Sequence, residues 1–394
     1  MARSLGSPGP TRRGWTLAGA SAALVVGGRV VGSLGLVGLG LAGLVLVVFA
    51  VVSVAPRAPA VEARRFARPS RVHVGGEGRV VLEGATRART PLLALTEYVD
   101  GGRRAARFVL PPGPAGTPVE AVYRVPTEQR GLHELGPLVG IVGDPLGLAR
   151  RSWELLAATD LVVRPRLHDV LAPGRGGGGE QDPRAEGPRV PAFEASGDFL
   201  ALRDYESGDD PRRVHWRSSA RRGHLVVRQD EAAAPGRVVV LLDTRPWVHD
   251  LQSFEIAVEA VASIALRLDH DDAPVEVLTS SGLVLARPGP GTLELLMDRL
   301  AVVEATEPDL LAAVGSRLAR RLGVGAVVAC TGTPDDALVD AIAAVGRRAE
   351  LTIVAARAPD PGVVARVPTV DVANGELAAV WNRFAAVRRT RRAV

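Results

Sequence analysis

Arg237-Val238-Val239-Val240-Leu241-Leu242-Asp243 is a continuous apolar run closed by a carboxylate, and its reading decides the fold of the C-terminal half. A strand buried on both faces looks like this, whereas a strand with one wet face alternates. Downstream, Phe254, Ala257, Val258, Val261, Ile264, Ala265 and Leu268 share one helical stripe. Further strands are predicted at Val275–Leu278, Leu283–Ala286, Ala326–Ala329, Leu351–Ala355 and Thr369–Val372. Helices are predicted at Thr292–Val302, Asp309–Leu322, Asp335–Arg347 and Leu377–Arg388. Strands alternating with helices imply a mostly parallel sheet covered on both faces, a Rossmann-like α/β domain over 236–394. Ligands of such folds gather at the carboxyl ends of the strands, and Asp243 stands at the end of the first.

Upstream the rhythm is different. Between Val61 and Pro165 short apolar runs are broken by Gly and Pro: Arg79–Glu83, Leu92–Tyr98, Ala106–Leu110, Val119–Val125, Leu138–Val142 and Leu161–Val163. Alternation such as Glu120-Ala-Val-Tyr-Arg-Val reads as strand, and a small antiparallel β-sandwich over 57–170 accounts for the pattern. Gly143-Asp-Pro-Leu-Gly has the composition of a turn. Gly174–Pro191, with Gly176–Gly179 at its centre, reads as a linker, so 171–235 holds the linker and a charged segment.

The N-terminus adds a third character. From Gly14 to Pro56 the sole charged residue is Arg29, which divides the run into Trp15–Gly28 and Val30–Ala55. The second half is long enough to cross a bilayer at about 20 residues per crossing, while the first is short. Trp15 occupies the interfacial position tryptophan favours, and arginines flank both ends, which puts both ends in the cytoplasm. A helical hairpin over 1–56, in a multi-pass protein of the cell membrane with cytoplasmic soluble domains, satisfies these signals. A signal peptide is the competing reading, but no small-x-small site precedes a polar mature start.

The charge balance agrees with a membrane partner. All 48 basic residues are arginine, a bias of GC-rich coding, and the net charge is +5. Arg3, Arg12, Arg13, Arg29, Arg57, Arg64, Arg65 and Arg68 face only Glu62 in the first seventy residues, and the remainder is slightly acidic. That excess points to lipid headgroups; neither an aromatic-rich basic stripe nor a nucleic-acid motif is present. The single cysteine, Cys330, permits no internal disulfide, fits a reducing compartment and excludes a structural zinc site.

The densest stretch is Gly197-Asp-Phe-Leu-Ala-Leu-Arg-Asp-Tyr-Glu-Ser-Gly-Asp-Asp-Pro-Arg-Arg-Val-His-Trp-Arg-Ser-Ser-Ala-Arg-Arg-Gly-His-Leu-Val-Val-Arg-Gln-Asp-Glu231. Asp210 before Pro211 is a cap with proline at the first position, and Gly223 is a stop, so the spacing predicts a helix over Pro211–Arg222 and a strand over Leu225–Arg228. Three roles fit. Paired charges at this density form a satisfied ion-pair network that fixes a loop, which is the leading reading. Alternatively, Arg203, Asp204, Tyr205, Gly208, Asp209, Asp210, Pro211, Arg212, Arg213, His215, Trp216, Ser219 and Arg221 make a docking surface in which guanidinium forks bind carboxylates or phosphates of a partner. Catalysis by Asp209, Asp210 and His215 is the third, although adjacent carboxylates do not by themselves make an acid/base pair.

Gly197-Asp-Phe, Leu202-Arg-Asp-Tyr, Gly208-Asp-Asp-Pro-Arg-Arg-Val-His-Trp and Ser219-Ala-Arg resemble the signature of the bacterial "domain of unknown function 58" (DUF58) family. Arg130-Gly-Leu-His-Glu-Leu-Gly-Pro-Leu and Asp144-Pro-Leu-Gly-Leu are similar to its upstream pattern. The resemblance covers the whole chain and implies a membrane hairpin, a β-rich middle, a C-terminal von Willebrand A-like domain and association with MoxR-type AAA+ ATPases. Family membership by itself establishes no biochemical activity.

Von Willebrand A domains often hold Mg²⁺ through Asp-x-Ser-x-Ser after the first strand, because a hard cation takes oxygen ligands. The corresponding residues are Asp243-Thr-Arg-Pro-Trp, with Arg245 and Trp247 in place of the serines. A guanidinium brings charge and no ligand oxygen, and is placed to pair with Asp243. Thr279, Thr331 and Asp335 are the remaining ligand candidates, each also readable as a turn residue or helix cap. Asp243 is therefore expected to mark a degenerate metal site, with no metal and no cofactor. The expectation for the whole chain is a non-enzymatic scaffold on the membrane with a MoxR-type partner. A remodelled metal-dependent ligand site at Asp243 and a hydrolase are the alternatives.

Overall fold

The computed structural model describes residues 8–55, 61–173, 199–205, 214, 216–230, 236–306, 309–321, 323–346 and 349–393. The chain divides into two compact units at Arg164/Pro165. The second begins ahead of the boundary at 170 read from the sequence, because the segment after Pro165 is bound to the C-terminal domain. Trp381 Nε1 donates to Leu171 O at 2.7 Å, and Leu171 N donates to Asn382 Oδ1 at 2.7 Å.

The first unit opens with strand β1 (Gly9–Pro10) and helices α1 (Arg12–Val31) and α2 (Leu34–Val54), both long and apolar enough to cross a membrane. The break lies at Gly32 and not at Arg29, as the sequence reading had it. Gly32 takes φ +75°, a left-handed cap glycine adopts without a Cβ penalty, and its N–H closes on Gly28 O, so Arg29 stays in the last turn of α1. The first helix is consequently full length and not short. The two helices touch through small residues: a Cβ added at Gly40 would lie 2.5 Å from Ser21 O, and one at Gly28 2.8 Å from Val37 N. Close backbone approach of this kind brings two apolar helices into van der Waals contact along their length.

Nine further strands among the described residues complete the unit: β2 (Val61–Arg68), β3 (Val72–His73), β4 (Arg79–Thr86), β5 (Leu93–Val99), β6 (Arg104–Leu110), β7 (Pro118–Arg124), β8 (Gly131–Gly143), β9 (Ala149–Leu156) and β10 (Thr159–Arg164). A three-stranded sheet, β2-β4-β7, faces a seven-stranded sheet built around β8, which takes β5 along one edge and shares the other between β9 and β10. Val80 and Leu82 from one sheet pack with Leu93, Leu95, Leu138, Val142 and Trp153 from the other, the sandwich core expected from alternation. A buried ion pair crosses that core. Arg65 Nη2 lies 2.6 Å from Glu97 Oε1, and Tyr123 OH donates to the same oxygen at 3.4 Å. Burial pushes the Glu97 carboxyl above its ordinary pKa against the pull of Arg65.

The helices are seated on this sandwich at one end. Thr11 caps α1, and its backbone N–H donates to Leu148 O at 2.7 Å while its hydroxyl donates to Gly147 O at 2.6 Å. At the other helix Ala50 and Val54 join the sandwich core, and Arg151 donates to Ala55 O. The Asp144-Pro-Leu-Gly-Leu motif is thus a turn with a partner. Asp144 accepts from Leu146 N at 2.9 Å and Ala149 N at 2.5 Å, holding Gly147 and Leu148 against the start of α1.

In the second unit, β11 (Phe199–Asp204) pairs antiparallel with β12 (Val226–Asp230), with α3 (Trp216–Arg222) between them in sequence. A six-stranded sheet follows, formed by β13 (Arg237–Leu242), β14 (Val275–Thr279), β15 (Val284–Ala286), β16 (Val324–Thr331), β17 (Glu350–Ala355) and β18 (Thr369–Asp371). Its order is β15-β14-β13-β16-β17-β18, parallel throughout except for the short edge strand β15. Alternate residues of β13 serve opposite faces, as the strand period requires. Val238, Val240 and Leu242 meet α4 (Leu251–His270), α5 (Thr292–Val302) and α9 (Leu377–Ala393). Val239 and Leu241 meet α6 (Leu311–Ala319), α7 (Asp336–Ala343) and α8 (Pro361–Arg366). The doubly covered α/β sheet read from Arg237–Asp243 is therefore present. The helix expected over Asp335–Arg347 is shorter, since Asp335 is its cap and not its first turn.

Candidate functional site

Three parallel strands end side by side where β14, β13 and β16 finish, and polar residues gather at their ends. Asp243 follows β13 and is fully buried, with its N–H donating to Cys330 O at 2.9 Å. Thr331, the last residue of β16, donates to Asp243 Oδ2 at 2.9 Å. Ser280, just past β14, accepts from Thr244 N at 2.8 Å. Asp335 caps α7 by accepting from Leu338 N at 3.0 Å.

The centre of this cluster is filled by Arg245. Its Nε donates to Asp243 Oδ1 at 3.0 Å and its Nη2 to Asp243 Oδ2 at 2.8 Å. The far edge of the guanidinium forks onto Asp335, Nη1 to Oδ2 and Nη2 to Oδ1, both at 2.9 Å. Four of its five donors are used, and Nη1 also lies 3.8 Å from an oxygen of Asp309. The side chain is 1% exposed, against 39% for Asp335. Burial opposes its charge, but the hydrogen bonds to Asp243 and Asp335 carry its pKa above the ordinary value. Burial likewise opposes the Asp335 carboxylate, yet Arg245 and the α7 cap hold its pKa below the usual range.

A divalent cation does not fit this arrangement. The guanidinium occupies the space between the two carboxylates and takes up both oxygens of each. Among the described residues no three His, Cys, Asp or Glu side chains are grouped so as to hold a metal ion. Of the ligand candidates named from the sequence, Thr331 and Asp335 do converge on Asp243 or its arginine. Thr279 does not, since its hydroxyl accepts from Leu283 N at 3.1 Å inside the β14–β15 turn. Ser280 was missed, and only its position one residue past a buried strand marks it in the sequence. Trp247 is exposed, with Arg245 Cζ 5.8 Å from its ring centre. His249 was also missed: Nε2 lies 2.8 Å from Asp243 O, Nδ1 is buried without a hydrogen-bond partner among the described residues, and burial lowers its pKa.

The charged signature is built differently. Arg203 and Asp204 sit on β11 opposite Val227 and Val226, and Tyr205 follows, half-buried, with its N–H on Leu225 O at 2.9 Å. Gly208, Asp209, Asp210, Pro211, Arg212, Arg213 and His215 lie outside the described residues. Of the helix predicted over Pro211–Arg222, the described residues show α3 over Trp216–Arg222, while Val214 is a buried residue in a β-bridge. Ser219 faces inward and accepts from Val226 N at 2.9 Å, tying α3 to β12. Trp216 is 66% exposed, and Arg217 and Arg221, four residues apart, are exposed without an ion pair among the described residues.

A solved structure, the CARDB domain of a Pyrococcus furiosus protein in complex with di-metal ions, is similar over 27% of this chain and 94% of that chain, at 13% identity and a TM-score of 0.20, a likeness too slight to carry an argument. No curated protein matches the chain. Residues 201–392, just under half of the chain, match the family model described as "Protein of unknown function DUF58", and that match supports the DUF58 family read from the signature.

Proposed function

We propose that this chain is a membrane-anchored, non-enzymatic scaffold. In this reading its C-terminal domain is von Willebrand A-like and docks a MoxR-type AAA+ ATPase in envelope assembly or stress response. The observation that carries it is the pairing of a self-satisfied cluster at Asp243 with an exposed Trp216–Arg217–Arg221 surface. A domain whose strand-end acids are neutralised by its own arginine has no free acid/base pair there. A flat tryptophan flanked by exposed arginines has the composition of an interface anchor. The strand order, with a single antiparallel edge strand, favours the von Willebrand A-like reading. The ATPase partner follows from the family resemblance. Two apolar helices at the N-terminus are compatible with the anchor, and the arginines at both ends favour a hairpin with the soluble domains in the cytoplasm.

The test is capture of the ATPase by the full chain from solubilised membranes, with Trp216, Arg217 and Arg221 each changed to alanine. Loss of capture in chains that remain folded is expected. Undiminished capture by all three variants would remove the docking role from the signature. The metal-dependent alternative gains nothing from the geometry at Asp243.

A further inference from the structure

We propose that the turn-bearing end of the β-sandwich is itself a lipid-binding surface, resting in an anionic headgroup layer beside the helical hairpin. The inference rests on the membrane reading of α1 and α2 and extends it from the helices to the sandwich. Helix α1 has 20 residues, about 30 Å at 1.5 Å per residue, which is the whole hydrocarbon thickness. No turn of it is left over to act as a stalk. Its cap Thr11 is bonded to Gly147 and Leu148, so the β8–β9 turn cannot stand off from the bilayer. The same holds at α2, where Ala50 and Val54 are already inside the sandwich core.

The sheet register identifies what else lies at that level. Ala94 on β5 stands opposite both Ile141 on β8 and Val109 on β6, and Gly143 stands opposite Arg150 on β9. The start of β5, the end of β6 and the β8–β9 turn are therefore one end of the sheet. Leu92, Val109 and Leu146 are at that end, and each is more than half exposed. Arg150 is exposed there too, opposite Gly9 on β1, one short step from Arg12, Arg13 and the exposed Trp15. Arg12, Arg13 and Arg150 form no ion pair among the described residues. The opposite end of the sheet carries Asp100, Arg103, Arg104 and Glu128, with one exposed apolar side chain, Leu132, among them. Apolar tips ringed by exposed arginines, on the side where two apolar helices leave, match a layer of hydrocarbon edge and phosphate.

The experiment uses the full chain in vesicles, with an environment-sensitive fluorophore on Leu146→Cys or, at the far end, on Arg103→Cys. Cys330 is fully buried and stays unlabelled. Vesicles of phosphatidylcholine, alone or with phosphatidylglycerol, carry a spin-labelled lipid that quenches near the headgroups. We expect blue-shifted, quenched emission from residue 146 and aqueous emission from residue 103, with quenching at 146 stronger when phosphatidylglycerol is present. Arg150→Gln should abolish that lipid dependence. If residue 146 emits like residue 103 while the chain resists alkaline extraction, the surface proposal is wrong and the anchor stands. If the chain is extracted, both fall. Quenching indifferent to phosphatidylglycerol would overturn the assignment of the arginines to anionic headgroups.

Discussion

The Arg245 guanidinium lies along the Asp243 carboxylate in a two-bond fork, and its other edge does the same to Asp335. Removing one member of such a buried group strands the others. Arg245→Met should destabilise the folded chain by about 3–5 kcal/mol, the usual cost of an unpaired buried charge. The double variant Asp243→Asn/Arg245→Met should lose clearly less than the sum of the single variants. Denaturant unfolding of the full chain in detergent reads both, and simple additivity would show that the fork is not a coupled unit.

Acid should weaken the C-terminal domain in two stages. His249 is held below its ordinary pKa by burial, so the unfolded chain takes up a proton near pH 6.5 that the folded chain refuses. The stability it contributes is present above that pH and is lost as the pH falls through it toward the folded value. Asp335 is held below its ordinary 3.8, so its contribution persists to lower pH and fades only beneath about 3.8. Unfolding midpoints between pH 8 and pH 5 should decline in the wild type and stay nearly level in His249→Gln. A flat wild-type profile would mean that His249 titrates alike in both states.

The helical hairpin should be intolerant of bulk where the helices meet. Gly40→Val drives a branched side chain into the backbone of Ser21, at the overpacking cost of about 1–3 kcal/mol. Gly38→Val has nothing within 4 Å of the added carbon and is expected to be silent. A thermal shift assay on the two variants in detergent distinguishes these outcomes, and equal behaviour would contradict the close α1–α2 contact.

Much of this architecture was legible because burial writes a period into the chain. The unbroken run Arg237–Asp243 signalled a strand covered on both faces, and the stripe from Phe254 to Leu268 placed α4 with its ends only slightly short. Shorter and amphipathic signals were lost. Strand β2 alternates half-buried and exposed positions, but its sequence Val61-Glu-Ala-Arg-Arg-Phe-Ala-Arg68 carries three arginines, which hide the period. One of them, Arg65, is buried against Glu97, a pairing across two sheets that no local pattern encodes. At the site, Asp243 and Arg245 are two residues apart and their pairing could be anticipated. The arrival of Asp335 and Thr331 depends on strand order, which periodicity does not specify. The turn at Asp144 was recognised as a turn, while its role in seating Thr11 depends on residues more than a hundred positions away.

The central claim is that the exposed face of α3 meets a partner at the membrane, and site-specific photocrosslinking in native membranes tests it most directly. With the photoreactive residue at Trp216, and at exposed Leu283 as reference, the account predicts an AAA+ ATPase adduct unique to position 216. No adduct at 216, or the same adducts at both positions, would contradict it.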